Sequence, residues 1–159
     1  MSKKQAQTKV RVLFIDRKND FVSQVAEHFA REMFPDLYDV YSAGPEKDAI
    51  DCEMISVLYQ NGVDIRRQVS KDFKDEEYLR KDQEYDAVVY MDKATYEEWA
   101  PRTPWQGRQM LVDMRARPDF AATDDAELYD EYYKSMEEVR NWVKTNMSDP
   151  NVLKAQLSR

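Results

Sequence analysis

The side chains of this sequence that could do chemistry gather where apolar runs end. Asp16 closes the run Val10 to Ile15 and is followed by Arg17, Lys18, Asn19, Asp20 and Phe21 before the chain turns apolar again at Val22. Asp92 closes Tyr85 to Met91, Asp113 lies within Gln109 to Met114, and Asp119 stands in the polar stretch beyond it. A carboxylate in such a place can transfer a proton, attack an electrophile or hold a cation, and it can equally cap a helix or sit solvated in a loop. Thiol and imidazole chemistry is thin, because Cys52 is the single cysteine and His28 the single histidine. That excludes an intramolecular disulfide, a cysteine-rich metal site and a relay of thiols, and it fits a reducing cytoplasm. Cys52 reads as a small hydrophobe beside Met54 and Ile55, and His28, among Glu27, Arg31 and Glu32, reads as a surface residue.

The elements that must position these groups follow from periodicity. Val10, Val12, Leu13, Phe14 and Ile15 form a strand buried on both faces, and Val22, Val25, Ala26, Phe29 and Met33 then recur at helical spacing. Asp16 therefore sits at the carboxyl end of the first strand, where open α/β sheets bind ligands. Tyr38 to Gly44 reads as a second strand, and Pro45 as the start of a helix carrying Ile50, Met54, Val57 and Leu58 up to Asn61-Gly62. Ser70 is expected to cap a solvated, charged helix over Lys71 to Lys81. Tyr85 to Met91 and Gln109 to Met114 are the third and fourth strands. Thr123 is expected to cap a last long helix with the stripe Leu128, Tyr132, Met136, Val139 and Val143, which should stop at Ser148-Asp149-Pro150. Tyr129 and Tyr133 lie off that stripe in an acidic setting, read first as packing residues and second as modification sites.

The reading Asp16, five residues, Val22, Ser23 resembles the phosphate loop of the low-molecular-weight protein tyrosine phosphatases and their relatives, the thioredoxin-coupled arsenate reductases. In that family the loop reads Cys, five residues, Arg, Ser. Asn19, Ser23, Ala26 and Glu27 match, as do Ser42-Ala43-Gly44, Gly62 with Val63, and Met91-Asp92, so the resemblance spans about Val10 to Lys144. It implies a three-layer α/β sandwich with a four-stranded parallel sheet in the order 2-1-3-4. With the polar opening read as a disordered N-terminal tail over 1–9 and the stop at Ser148-Asp149-Pro150 leaving 148–159 as a short C-terminal tail or interaction segment, 10–147 is the expected domain.

The resemblance also implies a ligand-binding loop of Arg17, Lys18, Asn19, Asp20, Phe21, Val22 and Ser23, with Asp92 supporting it. Asp119 stands at the general-acid position, with Asp113 as a competing register. The two residues that catalysis needs are replaced: Asp16 holds the nucleophile's position and Val22 that of the arginine. A phosphate dianion is held by loop N–H groups and a bidentate guanidinium and attacked by a thiolate. Val22 has neither donor nor charge, and an ionised Asp16 would repel the substrate, so Asp16 is expected to accept the loop N–H groups itself. Lys18, where glycine is usual, puts the close approach of the loop in question.

The reading favoured is a catalytically inactive homologue, a pseudophosphatase that binds a protein partner or a small anionic ligand in cytoplasmic signalling. If active, the chain would be a phosphoric monoester hydrolase using Asp16 as a carboxylate nucleophile, with magnesium recruited by Asp16 and Asp20. Two further alternatives are a receiver-like signalling domain, which shares this sheet order, and a scaffold using exposed aromatics such as Trp99 and Trp105. No resident cofactor or metal is expected, and a monomer or weak homodimer is. A formal net charge of -7 argues against nucleic acid, and neither the polar opening MSKKQAQTK nor any later stretch reads as a membrane anchor.

Overall fold

The computed structural model describes residues 8–159, so the tail expected over 1–9 lies almost wholly outside the described residues. Four parallel strands, β1 (Val10–Ile15), β2 (Tyr38–Ala43), β3 (Ala87–Tyr90) and β4 (Gln109–Leu111), form one sheet in the order β2-β1-β3-β4. In register, Ile15 lies between Ala43 and Tyr90, which places Asp16 beside Gly44 and Met91 at the carboxyl end of the sheet. Helices α1 (Val22–Met33), α2 (Cys52–Gln60), α3 (Lys93–Trp99), α4 (Asp125–Asn146) and α5 (Pro150–Lys154) complete the layers. Alternate residues of β1 feed two cores: Val12 and Phe14 pack with α1, α2 and α4, whereas Leu13 and Ile15 pack with Tyr85, Tyr90 and Trp105. Among the described residues no helix is long and apolar enough to cross a membrane.

Several elements differ from the sequence expectation, each for a local reason. The helix does not start at Pro45; α2 begins at Cys52 because Asp51 Oδ1 accepts the Glu53 and Met54 amides at 2.9 and 3.1 Å. Residues 45–50 instead lie against the Asp16 loop, with the Glu46 amide on the Arg17 carbonyl. No helix forms over Lys71 to Lys81. Asp72 takes the Lys74 amide and Asp75 takes those of Glu77, Tyr78 and Leu79, so side chains replace the helical ladder. Asp124, not Thr123, caps α4, and Glu127 reaches back to the Thr123 amide.

The C-terminal residues are not a free tail: Leu153 is fully buried, and the Arg159 and Gln109 main chains pair reciprocally along β4. Trp105 is buried, with its indole N–H donating to the Gln83 carbonyl, and Trp99 is half-buried, so neither offers an exposed aromatic surface. Cys52 is exposed rather than packed. His28 is half-buried edge-on to Phe29, and burial holds its imidazole below the usual range.

Candidate functional site

The loop between β1 and α1 curls around the Asp16 carboxylate. One oxygen accepts the Ser23 amide at 2.8 Å and the other the Asp20 amide at 3.2 Å, with Asp16 only 5% exposed. These are the amides that open α1 and the turn before it, groups that favour an anion. Burial pushes the Asp16 carboxyl upward, and the Ser23 and Asp20 hydrogen bonds pull it back.

Asn19 holds the turn in a left-handed conformation, with φ of 48°, which asparagine tolerates better than most residues. Its side chain donates to Ser23 Oγ at 2.8 Å and accepts from Gln24 Nε2 and from the Lys71 amide. Gln24 also donates to the Val69 carbonyl, so the loop is tied to residues 69–71. Lys18 has no positive φ, and its carbonyl accepts from Ser70 Oγ, which is how the loop accommodates a side chain there.

Val22 is 1% exposed within the core shared by α1, α2 and α4. Burial of this kind stabilises by about 1.5–2 kcal/mol and presents no donor to the loop. The positive charges nearby are already engaged: Arg17 pairs with Glu46 at 3.1 Å and Glu98 at 3.2 Å, and Lys18 lies 3.8 Å from Asp48.

Phe21 from the loop stacks on Tyr132 of α4 at 5.6 Å and meets Phe120 edge-on at 5.7 Å, and Phe120 meets Tyr132 at 5.0 Å. This trio staples the Asp16 loop to the segment carrying Asp119. Asp119 ends a 3₁₀ turn over Arg117–Asp119, is exposed, and accepts the Ala116 amide at 2.8 Å. Asp113 accepts the Lys93 amide, and Asp92 caps α3 through the amide and hydroxyl of Thr95. Among the described residues no group of three or more His, Cys, Asp or Glu side chains is arranged to hold a metal ion.

Sequence reasoning missed Lys71. Only 4% exposed, its ammonium donates to the Val69 carbonyl at 2.6 Å and Ser42 Oγ at 3.4 Å and lies 3.7 Å from Glu27 Oε1. Glu27 also accepts from Ser42 and, at 2.7 Å, from Arg31. The signal available was indirect: Glu27 and Ser42 are polar residues on the buried faces of α1 and β2, and each needs a buried partner.

Asp20 carries the clearest pH dependence. Burial first, then the charges of Asp16, Asp51 and Asp48, push its carboxyl up to about 6. The folded chain therefore binds this proton more tightly than the unfolded chain. The contribution is fully present below the unfolded value of 3.8 and is lost as pH rises through about 6. Urea melts should show stability falling over that window. Asp20→Asn should flatten the fall and raise stability at neutral pH by on the order of 1 kcal/mol, once screening of this half-buried group is discounted. A wild-type profile with no such fall would contradict the assignment.

Comparisons with known proteins bear on the fold and the family. An arsenate reductase from Halalkalibacterium halodurans is 34% identical over 70 residues, 44% of this chain and 50% of that protein. One from Staphylococcus aureus is 35% identical over 63 residues, 40% of this chain and 48% of that protein. The chain thus aligns with about half the length of the curated relatives it matches. Among solved structures, a low molecular weight protein tyrosine phosphatase from T. tengcongensis superposes with a TM-score of 0.67 at 19% identity, covering 86% of this chain and 96% of that one. An arsenate reductase in the phosphate binding state gives 0.65 at 20%, covering 94% and 99%. These likenesses describe the fold. The receiver-like alternative gives way to the family match, which runs the length of the fold and takes in the C-terminal segment. Residues 11–157 match the family model for low molecular weight phosphotyrosine protein phosphatase, and the chain belongs to that family.

Proposed function

We propose that this chain is a catalytically inactive member of its family and acts by binding a protein partner. The observation that carries the reading is the Asp16 carboxylate, seated on the Ser23 and Asp20 amides at 2.8 and 3.2 Å where a substrate anion would need them. Hydrolysis through a covalent phosphoryl intermediate requires a nucleophile with a free lone pair, a cation to spread the developing charge and an acid for the leaving group. Each Asp16 oxygen keeps a lone pair, but the carboxylate itself takes the loop amides that would hold the phosphoryl oxygens, Val22 supplies no cation, and Asp119 is turned onto its own segment. Arsenate reduction, the activity for which the curated relatives are named, needs electrons from thiols, and Cys52 lies on α2 rather than in the loop.

The test is hydrolysis of an aryl phosphate by the purified chain from acidic to neutral pH, with and without magnesium, beside Asp16→Ala. The expected result is no turnover by either protein under any condition. Turnover by the wild type that vanishes in Asp16→Ala would make Asp16 a working nucleophile and overturn the reading. Magnesium stimulation would identify the carboxylate mechanism.

A further inference from the structure

Helices α2 and α4 separate along matching stripes. Glu53 and Val57 on α2 and Asp125, Leu128, Tyr129 and Tyr132 on α4 recur at three-, four- and seven-residue spacing, so each set faces the same cleft. The cleft measures about 280 Å³, at the lower edge of the roughly 300–1,000 Å³ typical of small-molecule sites. That size suits one long side chain. Both rings are held by their hydroxyls: Tyr129 accepts from Asn61 at 2.9 Å, and Tyr132 donates to Asp51 at 2.7 Å. Neither Glu53 nor Asp125 takes part in an ion pair among the described residues.

We propose that this cleft docks an arginine side chain from a basic segment of a protein partner. The apolar floor of Val57 and Leu128 takes the alkyl stem. The half-buried Tyr129 ring and the two unpaired carboxylates take the guanidinium, whose planar, weakly hydrated charge suits both, while the buried Tyr132 closes the back of the cleft. The chain's net charge of -7 favours encounter with a basic segment, and Glu53 and Asp125 place two of its negative charges at the cleft. Tyr132 also stacks on Phe21, and the Asp51 amide donates to the Asp20 carbonyl at 3.0 Å, so an occupant of the cleft presses on the wall behind the Asp16 loop. The inference takes only the protein class of its partner from the binding role proposed above. Cleft occupancy and aryl-phosphate turnover are separate measurements, and either can fail alone.

The experiment is an NMR titration of the full chain with acetyl-Gly-Arg-Gly-amide and with its citrulline counterpart, which keeps the shape and loses the charge. Shifts should concentrate in 53–60 and 125–132 with the arginine peptide and stay small with citrulline. The exposed pair Glu53→Gln and Asp125→Asn, checked for unchanged melting, should weaken the apparent affinity roughly tenfold. Equal shifts with citrulline, unchanged affinity in the double variant, or no shift at roughly 10 mM peptide would overturn the proposal. So would sedimentation showing a dimer in which these two segments are protected, because the occupant would then be a second copy of the chain.

Discussion

Gly44→Ala should destabilise the chain by about 3 kcal/mol and lower its melting temperature by roughly 6–12 °C. Gly44 ends β2 where the strand passes under the Asp16 loop, donating its amide to the Lys71 carbonyl at 3.0 Å. A Cβ built there would stand 2.3 Å from the Asp16 carbonyl oxygen and 2.8 Å from that of Arg17. Both neighbours are backbone, so no flexible side chain can swing aside. The loop must move, and with it the amides on the Asp16 carboxylate. The control is Gly62→Ala, where φ is +81° and nothing lies within 4 Å of the added carbon. That change meets only backbone strain, about 1–2 kcal/mol. Thermal melts of the two variants separate crowding from conformational freedom, and equal losses would contradict the close approach at Gly44.

Lys71→Met should cost about 2–4 kcal/mol, because it removes one member of a buried charged network and leaves the others in place. The Val69 carbonyl keeps Gln24 Nε2 at 3.0 Å but loses the ammonium at 2.6 Å, and Glu27 keeps Arg31 and Ser42 but loses the ammonium at 3.7 Å. Burial already holds the Lys71 ammonium below its ordinary range, with Glu27 opposing that shift. Adding Glu27→Gln should recover part of the loss, since the buried carboxylate left with one cation fewer is then neutral as well. A double-mutant cycle in urea checks this. Strict additivity of the two single losses would mean that the network does not couple Lys71 to Glu27.

The strands were legible because β1 and β3 are compact apolar runs and the turns carry Gly44, Gly62 or a terminal aspartate, and their order followed from the family resemblance. The Asp16 loop was legible because Asn19, Ser23 and Glu27 keep the spacing of the family resemblance, which sets Asp16 and Val22 at the positions of its cysteine and arginine. What escaped was set by long-range contacts. Lys71 sits in a run of Lys, Asp and Glu whose composition suggests a solvated helix. The aspartates of that run bond to nearby amides instead, and Lys71 turns inward toward Glu27 on α1. The aromatic trio escaped for a similar reason, since Phe21, Phe120 and Tyr132 come from three segments and no periodicity links them. The C-terminal residues read as a tail because their apolar content is low, yet buried Leu153 and partly buried Leu157 anchor the segment, and the main chains of Ser158 and Arg159 pair with Gln109 of β4.

The central claim is that the Asp16 carboxylate occupies the place of the anion in its own loop. Removing it should leave the Ser23 and Asp20 amides free to bind one. The most direct measurement is thermal melting of wild type and Asp16→Ala with and without inorganic phosphate at constant ionic strength and neutral pH. The wild type should be indifferent to phosphate, and the variant should gain on the order of 1 kcal/mol, about 3 °C, at several-fold excess over its dissociation constant. A wild-type chain that phosphate stabilises as much as the variant would contradict the account, because the loop would then be open to an anion with Asp16 in place.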